Sequence, residues 1–284
     1  MTNGKSFNFF FIDGSINGLI QCTNKNWKGV AYKIPRTGIE KYKEREDLKN
    51  TGIYFLFGND EEDNPVIYIG QARERKNGEG ILYRLREHIR DKKKDFWREA
   101  IIFTFNDNSL GPTEICYLEN IFCSLAINAK RYIVKNGNDP SIGNPSEAEK
   151  CELDEFIEYA KFITVMFGYK VFEQIEDSEI TFLIKLKSEN DTKAYGKLTS
   201  EGFVVLQNSH INSNLSDSLS SGYKGLRDKY AFQIDNESKL KNDILFNSPS
   251  AASSFVLGRN SNGRVDWKTK DGKTIETIES EVIK

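Results

Sequence analysis

The sequence predicts an α/β chain of the α+β kind: a small mixed or antiparallel sheet flanked by helices, then a helical connector and a second small α+β domain. Three observations predict it. Short apolar runs bounded by turn residues crowd residues 5–70, runs with helical periodicity follow between 80 and 167, and strand-like runs resume at 180. A chain of 284 residues has room for one large domain or two ordinary ones.

Taken in order, "SFNFFFI", "GLIQCT" and "GVAYKI" read as strands, with turns at "DGSING" and "NKNWKG". After Pro35, "TGIEKYKEREDL" (residues 37–48) predicts a charged helix. Residues 52–58 and 65–70 form a hairpin around an acidic, proline-containing loop. A helix follows over about 80–94, a strand over 100–105 and a helix over 112–132. The start of that helix, "GPTE", has Gly111 to cap, Pro112 in the first turn and Glu114 at the positive end of the dipole. "NGNDPSIGNPS" (136–146) breaks the pattern. Leu153, Phe156, Ile157, Ala160, Ile163 and Phe167 then recur at helical spacing in the connector. In the last part, strands are expected at 180–187 and within "EGFVVLQNSHI", a helix after Pro249 in "SPSAASSFVLG", and a terminal hairpin in "GRVDWKTKDGKTIET".

Composition narrows the function classes. With 38% hydrophobic and 29% charged residues the chain reads as soluble and globular, and a net charge of −2 gives no global basic signature of a nucleic-acid binder. What positive charge exists lies early: residues 1–145 hold 22 Lys and Arg against 19 Asp and Glu, the remainder 18 against 23. The run Arg90, Lys92, Lys93, Lys94 reads as a solvated helix end. Cys22, Cys116, Cys123 and Cys151 show no CxxC spacing; Cys116 and Cys123, seven apart, suit one side of a helix as small core residues. Only two histidines, His88 and His210, argue against a zinc site. No signal peptide or membrane-length apolar run appears, so no membrane partner and a cytoplasmic location are expected.

Strand alternation puts Ile53, Phe55 and Phe57 on one face of the hairpin, and Tyr54, Leu56 and Tyr68 on the other. One tyrosine there needs no explanation beyond strand preference; a pair brought together within "GIY" and "YIG" does. In the helix "GILYRLREHIRDKK", Arg84 and His88 are four apart, along one edge of the apolar face. In the next helix Glu119 sits four after Ile115 and three before Phe122, against the apolar side. A carboxylate there needs a cation or several donors, and a structural ion pair would also serve.

"GIY", a spacer, "YIG", an arginine and histidine four apart and a helical glutamate, in that order, resemble the GIY-YIG endonuclease family over residues 51–136. "FIDGSINGL", "NW", "IPR" and the distal "FNSPSAASSFVLGRNSNGRVDWKTKDG" are similar to a bacterial subgroup in which that nuclease precedes a DUF4357-type domain. The "SPSAA…NG…W" pattern also resembles domains attached to restriction and DNA-modification enzymes. The resemblance implies an N-terminal extension over 1–50, a GIY-YIG nuclease domain over 51–145, the connector over 146–170 and a DUF4357-like domain over 171–284. It implies catalytic roles for Tyr54, Tyr68, Arg84, His88 and Glu119, with Glu119 as ligand of one Mg²⁺ (or Mn²⁺) per site.

Under that resemblance Tyr54 takes the proton of the attacking water, with Tyr68 in support. A phenol with an ordinary pKa near 10 needs positive charge beside it, from Arg84 or His88. Arg84 would hold the scissile phosphate. Arg73 and Arg75 in the inserted "RERKNGEG", Lys92, Lys93 and Asn136 are the substrate-binding candidates. Ser248, Ser250, Lys268 and Trp267 offer further contacts, Trp267 reading first as core. The implied function is metal-dependent hydrolysis of double- or single-stranded DNA in restriction, repair or phage defence. The alternative is a non-catalytic DNA-binding protein with the same fold. One site per chain nicks one strand; a duplex cut needs a homodimer or two visits.

Overall fold

The computed structural model describes residues 4–73, 80–137, 142–174, 180–186 and 193–282. The chain is mixed α+β and divides into two units, Met1–Gln174 and Ile175–Lys284.

The first unit is built on seven strands: β1 (Asn8–Phe11), β2 (Ile20–Asn24), β3 (Trp27–Pro35), β4 (Gly52–Asn59), β5 (Pro65–Ala72), β6 (Trp97–Phe105) and β7 (Ile133–Val134). Their spatial order is β1-β2-β3-β6-β4-β5-β7, antiparallel except for β5 with β7. The central strands β4 and β6 are apolar on both faces because both faces are covered. Ile53, Phe55 and Phe57 face one core, with α2 (Pro112–Ala129) and α3 (Glu147–Met166) upon it through Ile115, Phe122, Leu153 and Phe156. Tyr54 and Leu56 face the other, with α1 (Ile81–Arg90) packed through Ile81, Leu82 and Leu85.

Helix α2 starts as its sequence predicts, on Gly111 and Pro112, and ends at Lys130 in the left-handed conformation. Helix α3 opens on Ser146 and Glu149, which bond each other's backbone N–H in a capping box. Expected as a connector, α3 lies within the first unit's core, and Tyr159 stacks on Trp27 with ring centroids 5.1 Å apart.

The charged helix expected over 37–48 forms two 3-10 segments instead, Arg36–Tyr42 and Glu46–Leu48. Ile39 and Tyr42 are the buried pair of the first, and a spacing of three suits a 3-10 turn. The N-terminal strands, expected as an extension packed on the following domain, join its sheet: β3 pairs directly with β6.

The second unit has an antiparallel sheet of order β11-β10-β9-β8, from β8 (Thr181–Lys185), β9 (Lys193–Thr199), β10 (Gly202–Val205) and β11 (Ile244–Phe246). Helices α4 (Ser221–Lys229) and α5 (Pro249–Leu257) accompany it. The expected terminal hairpin is a turn between helices: Lys268 bridges Thr274, but α6 (Gly263–Asp266) precedes and α7 (Ile275–Val282) follows. Asn262 caps α6, and buried Ile275 anchors α7.

The "SPSAA…NG…W" residues are absorbed by this packing. Ser248 caps α5 by accepting from Ala251 N, Ser250 Oγ accepts from Gly263 N, and Lys268 joins β8 through its backbone. Trp267 is fully buried against Phe203 and donates Nε1–H to the Pro249 carbonyl at 3.1 Å. Trp267→Ala is expected to destabilise the second unit by about 3–5 kcal/mol, mostly from the cavity left behind. Urea unfolding followed by circular dichroism checks this; a loss under about 1 kcal/mol would contradict the core assignment.

Candidate active site

The hairpin register explains why both motifs contain glycine. Tyr54 stands opposite Gly70, and Tyr68 opposite Leu56, so the two phenols are diagonal neighbours on one face. Their ring centroids are 6.4 Å apart. The Tyr54 ring lies over the Gly70 backbone: a Cβ there would come within 2.4 Å of Tyr54 Oη. At Gly52 a Cβ would come within 2.2 Å of the Phe103 carbonyl oxygen on β6. Both glycines are required by close approach, Gly70 by the phenol itself. Gly70→Ala is therefore expected to displace a fully buried ring and cost about 1–3 kcal/mol. A wild-type denaturation midpoint would contradict it.

Helix α1 brings His88 under the hairpin. Tyr54 Oη and His88 Nε2 are 2.6 Å apart, and the imidazole lies 5.5 Å from the Tyr54 ring and 5.3 Å from that of Tyr68. Burial lowers the His88 pKa to about 3, aided by the charges of Lys94 and Arg84. Burial pushes the Tyr54 phenol well above its usual value, with Tyr68 adding to the rise and Arg84 opposing it. The bond therefore joins two neutral groups, and in the tautomer that leaves Nε2 unprotonated the phenol is its donor. The expectation that His88 could be the positive charge beside Tyr54 does not hold; that charge comes from Arg84.

The linkage has a sign that can be checked. Unfolded histidine titrates near 6.5 and the native His88 near 3, so protons favour the unfolded chain between those values. The His88 contribution to stability is complete above about pH 6.5 and shrinks by about 2 kcal/mol at pH 5. Denaturation at pH 7 and pH 5, compared between wild type and His88→Asn, should show the smaller pH dependence in the variant. Equal dependence would contradict a neutral buried imidazole.

Arg84, half-exposed, is paired with Glu87 at 2.5 Å one turn along α1. The second cation is Lys94, whose Nζ stands 3.4 Å from the Tyr68 ring centroid. Burial lowers its pKa to about 8, with Arg84 adding to the fall and Asp91 and Glu119 opposing it. The sequence offers little sign of this: Lys92, Lys93 and Lys94 look alike, yet the 3-10 turn after α1 leaves Lys92 and Lys93 exposed and tucks Lys94 inward.

Glu119 comes from α2 and is held by Gln71 of β5, whose Nε2 donates to Oε2 at 2.8 Å. Burial raises its pKa; Gln71, Arg84 and Lys94 pull the other way. Its charge also raises the pKa of Tyr68. The residues from the two faces therefore interact electrically across β5. Among the described residues no three His, Cys, Asp or Glu side chains converge to cage a metal. A lone carboxylate with one oxygen held by Gln71 fits a hard cation that keeps most of its own waters, as Mg²⁺ does.

The substrate-binding candidates divide. Arg73 donates Nη2–H to Cys116 Sγ at 3.4 Å, beside the Gln71–Glu119 pair. Lys92 and Lys93 project into solvent, and Arg75 lies outside the described residues. Asn136 does not present its amide to a substrate: Oδ1 accepts from Ile69 N at 3.1 Å and Nδ2 donates to Ile69 O at 2.7 Å. It completes the edge of β5 next to Tyr68, where β7 has ended, and so acts on the site through the strand.

Residues 184–279 match the family model described as Domain of unknown function (DUF4357), a span within the second unit. No curated protein matches this chain, and no solved structure does. Among the described residues no helix is long and apolar enough to cross a membrane.

Proposed function

We propose that this chain is a metal-dependent endonuclease that hydrolyses DNA phosphodiester bonds at the cluster of Tyr54, Tyr68, Arg84, His88, Lys94 and Glu119. One observation carries the reading: a buried phenol hydrogen-bonded at 2.6 Å to a neutral imidazole, flanked by two cations and a carboxylate. The order of these residues in the chain, which resembles the GIY-YIG endonucleases, supports it.

The chemistry follows from the protonation states. As water attacks phosphorus, its proton passes to Tyr54 Oη while the Tyr54 proton passes to His88 Nε2. A pKa of about 3 makes the resting imidazole a poor base. Burial is the main cause; Arg84 and Lys94 add to it, and a phosphate bound between them would offset their part. The same two cations stabilise the charge that develops on the phosphoryl oxygens. Tyr68 anchors Lys94 on its ring. Glu119 would hold one Mg²⁺ or Mn²⁺, which supplies Lewis-acid assistance to the phosphoryl and leaving oxygens. The DUF4357 unit would position the substrate, in restriction, repair or phage defence.

The test is incubation of the purified chain with supercoiled plasmid and with single-stranded DNA, in Mg²⁺, Mn²⁺ or EDTA. Cleavage that requires the metal and stops with EDTA is expected, with nicked circles preceding linear product. A folded protein that binds DNA in a salt-sensitive way but never cuts it would move the chain to the non-catalytic alternative.

A further inference from the structure

The last turn of α4 carries an arginine that is buried with no ionic partner among the described residues. Arg227 is 7% exposed, its guanidinium carbon 5.2 Å from the Phe255 ring centroid. Nη2 donates to the Asn212 carbonyl. Nε is buried with no hydrogen-bond partner, and among the described residues no carboxylate pairs with Arg227. Burial lowers its pKa only to about 10, so it is a cation at neutral pH. Taking such a charge out of water costs several kcal/mol. A cation near a helix C-terminus returns only a small part of that cost, which exposed Lys229 in the same turn supplies without burial. The helix end does not account for Arg227.

Beside it is a cavity of about 240 Å³ that Arg227 lines. Ile211, Leu215 and Ile234 give it apolar walls, Ser213 and Ser238 bring hydroxyls, and Asp228 a carboxylate. We propose that this cavity binds a small organic oxyanion, its anionic head on Arg227 and the serine hydroxyls, its body on the apolar walls, and a hydrogen-bond donor on Asp228. The size falls below the roughly 300–1,000 Å³ usual for drug-sized ligands. A nucleoside monophosphate has each of these parts: a phosphate, an apolar ring face and sugar or base donors. It could arrive free or as the end of a DNA strand. The site lies wholly within the second unit and stands whether or not the first unit cleaves DNA.

The experiment is calorimetric titration of the full chain with thymidine 5′-monophosphate, thymidine, inorganic phosphate and a 5′-phosphorylated oligothymidylate. Saturable binding of the monophosphate is expected, at least tenfold weaker for thymidine and for the Arg227→Met variant. Equal or tighter binding of the oligonucleotide would assign the ligand to a DNA end; binding of the monophosphate alone would assign it to the free nucleotide. Ser213→Phe fills the cavity from an exposed position without removing the guanidinium, and is expected to lose binding equally; it serves if Arg227→Met fails to fold. Binding unchanged in Ser213→Phe, or no binding of any phosphate-bearing probe at millimolar concentration, overturns the proposal. Arg84→Met, which removes a phosphate-holding cation of the first unit, should bind the monophosphate with wild-type affinity, which separates this site from the nuclease reading.

Discussion

Glu119→Ala is expected to lower DNA cleavage by about a thousandfold or more while leaving DNA binding intact. Glu119 faces Arg84 and Lys94 across the edge of β5, and no second carboxylate joins it to make a three-residue cage among the described residues. Without it the other members named for the cluster, Tyr54, Tyr68, Arg84, His88 and Lys94, include no carboxylate for a hard cation. Losing Lewis-acid assistance of about 4 kcal/mol corresponds to a factor of roughly 10³. The two cations remain, with the charge of Glu119 no longer beside them, so the phosphate should bind as well as before. Glu119→Gln keeps the length of the side chain without its charge and should be equally inactive. Single-turnover nicking rates beside filter binding at one salt concentration make the comparison. A Glu119→Ala rate within tenfold of wild type would remove Glu119 from the chemistry.

Tyr54→Phe is expected to reduce the cleavage rate by about 10²–10⁴, the usual worth of a positioned proton-transfer group. The aromatic ring keeps its place over Gly70, so the sheet is unchanged. The loss also leaves His88 Nε2 buried without its partner, costing about 1–3 kcal/mol of stability. The same variant should therefore be both slow and somewhat less stable. Tyr68→Phe, at a phenol only partly buried, should be the milder of the two. Rates measured where both proteins are folded, alongside urea midpoints, distinguish a proton-transfer role from simple unfolding. A folded Tyr54→Phe that cuts at the wild-type rate would assign the water's proton to another group.

Much of this site is legible in one dimension because its parts follow local periodicity. Alternation alone puts Tyr54 and Tyr68 on one face, and helical spacing alone puts Glu119 against an apolar side. What periodicity cannot supply is which layers meet. Whether His88 is charged depends on how deeply α1 seats against the hairpin, and its protonation state inverts with that depth. Lys94 is indistinguishable from Lys92 and Lys93 until the turn after α1 sets its direction. Asn136 looks like a polar residue near a motif, and only the end of β7 reveals that it completes β5. The pairing of β3 with β6 is similarly hidden, because strand order is a long-range property that no local run encodes. In the second unit the short polar helix α4 and the weakly alternating strand β9 carry too little pattern to be read.

The strand that carries Tyr54 is bonded on both sides, to β5 and to β6, and roofed on both faces. Backbone amides in such a position exchange with solvent through opening of the whole unit, not through local fraying. Tyr54 therefore lies in the slowest-exchanging part of its unit, while Lys94 stands on a three-residue turn that can loosen alone. On warming, Lys94 should leave the Tyr68 ring before the Tyr54–His88 geometry is lost. Final loss of that geometry coincides with melting of the unit itself.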